Sequence, residues 1–338
     1  MAERYARQEL LPWMGPAGQD RVAAAAVGVV GMGALGCAAA SLLARAGVGS
    51  LVVVDRDLVE ESNLHRQVLY DERDVAERLP KAHAAARRLS AIRGDLRVDP
   101  WNADLGPERA RELFARVDVV LDGTDNYEAR FLLNDAAVEA AKPWVYAGVV
   151  STLGTVLTVR PGEGPCLRCL LPVLPPPGSA PTCETVGVLG AAATAVASVQ
   201  AAEALKLLAG RADLLAAGVV EVELLKPSLR VTRVPADSAC RCCRGRRFDF
   251  LEEREGSRTH RLCGRDSILV LAPAGTALDL AALEARLSLS GPVFRNPYLL
   301  QTEWEGHAVT LYADGRAMVQ GTRDPVRARA LYARFLGM

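Results

Sequence analysis

The stretch that most constrains the fold is Ala26–Asp57, AVGVVGMGALGCAAASLLARAGVGSLVVVDRD. Its first apolar run, Ala26–Val30, is bounded by glycine and suits a strand buried on both faces of a parallel sheet. It gives out into Gly31-Met32-Gly33-Ala34-Leu35-Gly36, followed by an Ala/Leu-rich segment that reads as a helix with Gly47 just past its end. A second apolar run, Leu51–Val54, closes on Asp55. Strand, glycine turn, helix and strand in this order make a dinucleotide-binding unit. Gly31, Gly33 and Gly36 would let a phosphate approach the backbone, where a helix start offers free N–H groups and the positive end of its dipole. Asp55, about 20 residues past the last glycine, stands where a carboxylate grips ribose hydroxyls. The same glycines would also serve tight helix–strand packing, and they do not say which nucleotide is bound.

A chain of 338 residues can bury a large core and is expected to form two domains. With a formal net charge of +0 and 50% hydrophobic residues, electrostatics gives no reason to expect a nucleic-acid or membrane partner. The long apolar stretch Gly187–Ala209 is interrupted by Gln200, Glu203 and Lys206, which favours a buried or interface helix over a membrane span. The opening MAERYARQEL lacks the apolar core of a signal peptide, so a reducing cytoplasm is the expected compartment. There, the eight cysteines are expected to be thiols or metal ligands rather than disulfides.

Beyond Asp55 come Asp57 and then Ser62-Asn63-Leu64-His65-Arg66-Gln67, in a long loop at a strand's carboxyl end, where open α/β sheets bind ligands. Asn63, Arg66 and Gln67 are therefore candidate phosphate and ribose contacts; a polar surface loop is the plain alternative. Pro80-Lys81 starts the helix PKAHAAARRLSAIRG, with Lys81 in the first turn against the helix dipole, a placement that a neighbouring phosphate would justify. Val117–Leu121 reads as another buried strand running into Asp122-Gly123-Thr124-Asp125-Asn126, where Asn126 can cap the next helix. A carboxylate there can hold magnesium on a triphosphate; Asp125 is the choice, with Asp122 able instead to satisfy backbone groups of the turn.

Trp144–Val150 reads as a strand that continues through Ser151–Arg160 as a hairpin or edge pair, so a mixed later part of the sheet is expected. Cys166-Leu167-Arg168-Cys169 and, about 70 residues later, Cys240-Arg241-Cys242-Cys243 supply two C-x-x-C knuckles. Cys166, Cys169, Cys240 and Cys243 would close a structural zinc site with no open position for a catalytic water, leaving Cys242 spare; reduced, unliganded thiols are the alternative. Proline-rich Leu171–Pro181 reads as an extended strap delivering Thr182-Cys183-Glu184, whose cysteine is a nucleophile only if its thiolate is stabilised. The expected layout is a Rossmann-like α/β domain (residues 1–245), doubly wound with a mostly parallel sheet. A linker (246–259) and a small C-terminal α+β domain (260–338) follow, the latter with an Asp314-Gly315 hairpin turn.

Taken in one order, the glycine turn, Asp55, the N-L-H-R-Q loop, Pro80-Lys81, Gly123-Thr124-Asp125-Asn126, both C-x-x-C pairs and Thr182-Cys183 resemble the MoeB/ThiF adenylyltransferases, bacterial relatives of ubiquitin-activating enzymes. The resemblance spans roughly residues 3–245. A tail like residues 260–337, with Leu262-Cys263-Gly264-Arg265 and Asp314-Gly315-Arg316, is similar to that of some thiamine-branch members and tilts it toward ThiF. It implies ATP-dependent adenylation of the Gly-Gly carboxylate of a ubiquitin-like sulfur carrier such as ThiS or MoaD, for thiazole or molybdopterin synthesis. A sulfurtransferase or cysteine desulfurase would be a further partner. By the same resemblance, Gly31, Gly33, Ala34, Gly36, Asp55, Asp57, Asn63, Arg66, Gln67 and Lys81 surround ATP and Asp125 holds Mg2+. Arg7 crosses a homodimer interface to the partner's ATP, the four knuckle cysteines bind Zn2+, and Cys183 is the crossover-loop cysteine. Ala34 departs from the family's usual glycine, and His65 from its frequent glutamine. An NAD-dependent oxidoreductase, which the glycine turn and Asp55 alone allow, would leave Arg66, Lys81 and the knuckles unexplained; a carrier-binding scaffold without turnover is the non-catalytic alternative.

Overall fold

The computed structural model describes residues 2–175, 183–252, 259–261, 267–272, 276–289 and 291–336. They divide into two compact units, Met1–Arg254 and Glu255–Met338.

In the first unit, helices α1 (Ala2–Glu9) and α2 (Gly15–Ala24) lead into β1 (Ala26–Val30). There follow α3 (Ala34–Ala46), β2 (Ser50–Asp55), a loop holding the 3-10 turn Glu61–Asn63 and α4 (Glu72–Ala76), then α5 (Lys81–Ile92), β3 (Arg97–Asn102), α6 (Pro107–Arg116), β4 (Val119–Asp122) and α7 (Tyr127–Ala140). The hairpin β5 (Trp144–Val150) and β6 (Leu153–Val159), the short helices α8 (Leu167–Leu170) and α9 (Cys183–Val186), the long α10 (Gly190–Leu208), and β7 (Val219–Glu223) with β8 (Ser228–Thr232) complete it. The strands form one sheet in the order β3-β2-β1-β4-β5-β6-β7-β8, parallel through β5 and antiparallel beyond. This is the expected Rossmann-like sheet with a mixed later part.

The apolar runs explain the layering. Val30, Val52 and Val54 pack with Leu113 and Phe114 of α6 and Leu133 and Ala137 of α7. Val29 faces α3 on the other side, where a Cβ on Gly36 would lie 3.3 Å from its side chain. There α3 packs between α5 and α10. Although α10 is long and apolar enough to cross a membrane by length and composition, it packs on α3, β5 and β6 and buries Gln200 and Glu203. It is a core helix, as its interrupted pattern suggested.

The expected boundary at residue 245 needs correction. Phe248 and Leu251 are buried in the same cluster as Cys166, Cys240 and Cys242, and Phe250 N–H donates to the Asp135 carboxylate at 3.0 Å. Two large apolar side chains after the second knuckle hold residues 246–252 on the first unit, so these are not linker. Residues 253–258 and the Leu262-Cys263-Gly264-Arg265 motif lie outside the described residues.

The second unit contains β9 (Thr259–Arg261), β10 (Ser267–Val270), α11 (Leu280–Leu287), β11 (Val293–Arg295), β12 (Leu299–Trp304), β13 (His307–Tyr312), β14 (Ala317–Gln320) and α12 (Pro325–Leu336). Its antiparallel sheet runs β11-β12-β13-β14-β10-β9. Ile268, Leu300, Val309, Leu311 and Val319 meet Leu280, Leu287, Ala328 and Leu331 from the two helices. The Asp314-Gly315 turn joins β13 to β14, with Gly315 at φ +84 and Gly315 N–H bonded to Tyr312 O at 3.0 Å. The small α+β arrangement is the one expected.

Candidate active site

The glycine turn after β1 and the Gly123 turn after β4 meet where the strand order reverses, the place where sheets of this topology bind ligands. Gly31 donates to Val54 O at 2.8 Å and Gly123 to Val30 O at 2.7 Å, so both turns hang from the strand ends. Gly31 sits at φ +84, and a Cβ there would lie 2.6 Å from the carbonyl of Gly123. A Cβ on Gly36 would lie 1.9 Å from Gly31 O, and one on Gly123 2.2 Å from the same oxygen. The protein's own packing therefore demands these three glycines. Gly33 differs: it precedes α3 as the N-cap with no capping side chain, and its Cβ would meet only Gly123 O, at 3.8 Å. No atom of the described residues needs a glycine there, and Ala34 opens the helix beside it. A helix start that no described side chain caps is a ready anion site.

Acid and base groups gather beside it. The Asp55 carboxylate accepts from Met32 N–H at 2.6 Å and from Asp57 N–H at 2.7 Å, tying the end of β2 to the glycine turn. Burial pushes its pKa up to about 6, against the pull of Lys81 and with the help of Asp57. Lys81 is buried, its Nζ 3.3 Å from Asp57 Oδ2. Burial works against its charge, but Asp57, Asp55 and Asp125 outweigh it and its pKa is raised, so the ammonium stays protonated at neutral pH. Tyr70, which sequence reasoning missed, places its hydroxyl 2.8 Å from Met32 O and 3.2 Å from Lys81 O, fixing the floor between turn and lysine.

In the loop after β2, Asn63 is buried, its side chain accepting from Glu60 N–H at 3.3 Å and its carbonyl from Arg66 and Gln67 N–H. Gln67 is buried with Oε1 unpartnered. Arg66 is half-buried, with Nη1 on Ser62 O at 2.6 Å. The loop lies against the start of α10, where a Cβ on Gly190 would meet His65 O and the Arg66 Cα.

The two acids after β4 separate. Asp122 is fully buried, accepting from Thr124 N–H and Oγ1 at 2.9 and 2.7 Å and from Arg130 Nε at 3.2 Å. Burial raises its pKa even so. Asp125 is exposed and makes no hydrogen bond or ion pair among the described residues. Asn126 caps α7 by accepting from Ala129 N–H at 2.8 Å.

One expected site residue is not brought to its own glycine turn, and another cannot be placed from the described residues. Arg7 is exposed on α1, which packs at the other end of α3: Gln8 donates to Ala46 O at 2.9 Å, and Tyr5 lies against Gly47. A helix of thirteen residues separates them from the glycine turn, about 18–20 Å. Cys183 opens α9, and its side chain and Thr182 lie outside the described residues.

The knuckle cysteines converge. Cys166, Cys169, Cys240 and Cys243 have all their sulfurs within 4.8 Å of one another, with neighbouring pairs at 3.6, 3.6 and 3.9 Å. Sulfurs bound tetrahedrally at zinc's usual bond length sit about 3.8 Å apart, so the donor set and its spacing fit zinc. Cys242 is buried beside them, accepting from Asn134 Nδ2 and donating to Asp135 Oδ1, each at 3.3 Å. Asn134 Oδ1 also accepts from Leu167 N–H at 2.8 Å, so α7 grips both knuckles.

Comparison with known proteins decides the family. The ThiF family model matches residues 5–243. A sulfur carrier protein ThiS adenylyltransferase of Bacillus subtilis is 39% identical over the whole of both chains. The chain belongs to the ThiF family. A sulfur carrier protein adenylyltransferase of Thermus thermophilus is 43% identical, over 71% of this chain and 90% of its own. The ATP complex of E. coli MccB shares the fold (TM-score 0.62, 21% identity, 71% of this chain and 74% of that one). Membership in the ThiF family sets aside the oxidoreductase that the glycine turn and Asp55 alone would have allowed.

Proposed function

We propose that this ThiF-family chain is an ATP-dependent adenylyltransferase that activates the C-terminal Gly-Gly carboxylate of a ubiquitin-like sulfur carrier, of ThiS type by preference. The observation that carries this is kinship along the full chain, C-terminal unit included, with an adenylyltransferase of ThiS. The site's chemistry supports it. The carrier carboxylate attacks the α-phosphorus, the bond to the bridging oxygen breaks, and pyrophosphate leaves with its electron pair. A carboxylate is already a nucleophile, so no general base is needed. The work is electrostatic: two anions must meet, and charge on the departing pyrophosphate must be held. Buried, protonated Lys81 supplies positive charge beside the start of α3, and half-buried Arg66 adds positive charge from the loop after β2. Asp55 takes the ribose hydroxyls, Asn63 and Gln67 line the nucleotide, and exposed Asp125 holds Mg2+, which screens the phosphates when bound.

Arg7 is proposed to serve the ATP of a second copy, since α3 separates it from its own glycine turn; that makes the enzyme a homodimer. The knuckles hold a structural Zn2+, and Cys183 takes part in sulfur transfer once the adenylate forms. The acyl-adenylate must then be consumed by a sulfur donor, of sulfurtransferase or cysteine desulfurase type, in a reducing cytoplasm. The test is ATP–pyrophosphate exchange with Mg2+, with and without ThiS or MoaD from the same source. Exchange dependent on one carrier supports the proposal and names the carrier. ATP binding without exchange under any carrier would instead mean a scaffold.

A further inference from the structure

The end of β4 carries a buried ion pair that none of the proposed chemical steps uses. Asp122 is fully buried and Arg130, one turn into α7, is 7% exposed. Arg130 Nε donates to Asp122 Oδ2 at 3.2 Å, and Nη2 donates to the Thr124 carbonyl at 2.8 Å and more weakly to the Ala147 carbonyl at 3.4 Å. The rings of Tyr127 and Tyr146 lie against the guanidinium at 5.3 and 5.2 Å. Gly148 in β5 leaves the room: a Cβ there would stand 2.9 Å from Tyr146 Oη and 3.4 Å from Arg130 Nη2. From the other face of the sheet, Gln200 of α10 donates to Asp122 O and Val145 O, both at 2.8 Å.

Such a pair is a weak source of stability, because the cost of desolvating both ions offsets most of their attraction. What it does supply is a single conformation for the Gly123-Thr124 segment. Asp122 Oδ1 takes the Thr124 N–H and hydroxyl, while Arg130 takes the Thr124 carbonyl. With both sides of that residue pinned, Asp125 is turned out into solvent near Lys81, close enough for its charge to raise the Lys81 pKa.

We propose that Arg130 is a positioning residue that aims the Asp125 carboxylate at the magnesium on ATP by locking the Thr124 carbonyl. This rests on the adenylyltransferase reading of the site. Loss of the lock would loosen Asp125 and weaken the metal's contribution to nucleotide binding, while contacts of the ribose and phosphates that need no metal would remain.

The experiment measures ATP affinity in excess Mg2+ and in EDTA for the wild type, Arg130→Lys, Asp125→Asn and the double variant. Arg130→Lys keeps the charge facing Asp122 but cannot reach Thr124 O at the same time. Outer-shell partners of metal ligands are worth about 10–100-fold in metal affinity, so the gain that Mg2+ gives ATP binding should shrink about tenfold in Arg130→Lys. Affinity in EDTA should stay within about twofold, and the double variant should be no worse than Asp125→Asn alone, because one residue acts through the other. Equal weakening in both media, or losses that multiply in the double variant, would overturn the proposal. If wild type binds no ATP in either medium, the adenylyltransferase reading itself fails. Should Arg130→Lys not fold, the paired change Arg130→Met with Asp122→Leu replaces the ion pair by apolar side chains and is held to the same outcomes.

Discussion

Gly33→Ala separates folding from function at the glycine turn. At Gly31 and Gly36 a methyl group would strike backbone, at 2.6 Å from the Gly123 carbonyl and 1.9 Å from Gly31 O, and Gly31 also has φ +84. Left-handed backbone alone costs a substituted residue about 1–2 kcal/mol, and the collisions cannot be relieved without parting α3 from β1. Those two substitutions should prevent folding. Gly33 has φ −82, and its nearest neighbour would be Gly123 O at an ordinary 3.8 Å. Restricting the unfolded chain stabilises by about 0.4–1 kcal/mol, which a poorer N-cap offsets by a similar amount. Gly33→Ala should therefore melt within a few degrees of wild type. If a phosphate lies against this turn, however, the methyl occupies its approach, and ATP affinity should fall at least about tenfold, or about 1.4 kcal/mol. Paired melting curves and titration calorimetry with Mg–ATP give both numbers. ATP binding within twofold of wild type by a normally folded Gly33→Ala protein would refute phosphate binding at this turn.

The Asp55 pKa of about 6, against an ordinary 3.8, favours the neutral acid in the ligand-free fold; its contribution to stability is complete below about pH 4 and lost as pH rises through about 6. Asp57, Lys81, Arg56, Tyr70 and Cys37 share its surroundings. Asp55→Asn should flatten that part of a denaturation-versus-pH curve, and the fall in ATP affinity below about pH 6 should lose the Asp55 component; unchanged curves would contradict the assignment. Arg7→Ala and Lys81→Met should each abolish exchange, yet mixed and allowed to exchange subunits they should recover about a quarter of wild-type activity, since half the dimers carry one intact site. No recovery despite subunit exchange would place Arg7 outside the partner's site. Removing zinc by chelation, or changing Cys169→Ser, should lower the melting temperature by many degrees. Structural zinc contributes about 10–16 kcal/mol in peptide sites, comparable to a domain's whole stability. A protein that contains no zinc and melts the same with chelator would contradict a metal site.

The strand–glycine turn–helix–strand unit was readable because one local segment writes all of it, period, turn and cap together. The knuckles are legible as pairs, since C-x-x-C spacing is local, although their meeting across about 70 residues depends on α7, whose Asn134 holds both. Arg130, Asp122 and Gln200 were not legible as a group. Each belongs to a different element, and only the β4–β5 pairing with α10 across it brings them together. Tyr70 carries no motif either; its role lies in two backbone carbonyls that a sequence does not display. Cys242 looked spare because ligand counting stops at four, whereas Asn134 and Asp135 one helix away give it partners. The strand β8 has no sequence signature: it is exposed along its whole length, so it lacks the apolar alternation that marks a half-buried strand. From sequence the boundary falls at residue 245, because the charged run after the second knuckle hides Phe248 and Leu251, which the structure buries.

The proposed reaction leaves an acyl-adenylate on the carrier's terminal glycine. Intact-mass measurement of purified ThiS after incubation with the enzyme, ATP and Mg2+ tests it directly. ThiS should gain one adenylyl group that hydroxylamine removes, and Lys81→Met enzyme should leave the carrier unmodified. An unmodified carrier in the presence of wild-type enzyme shown to bind Mg–ATP, with MoaD equally unmodified, would contradict it.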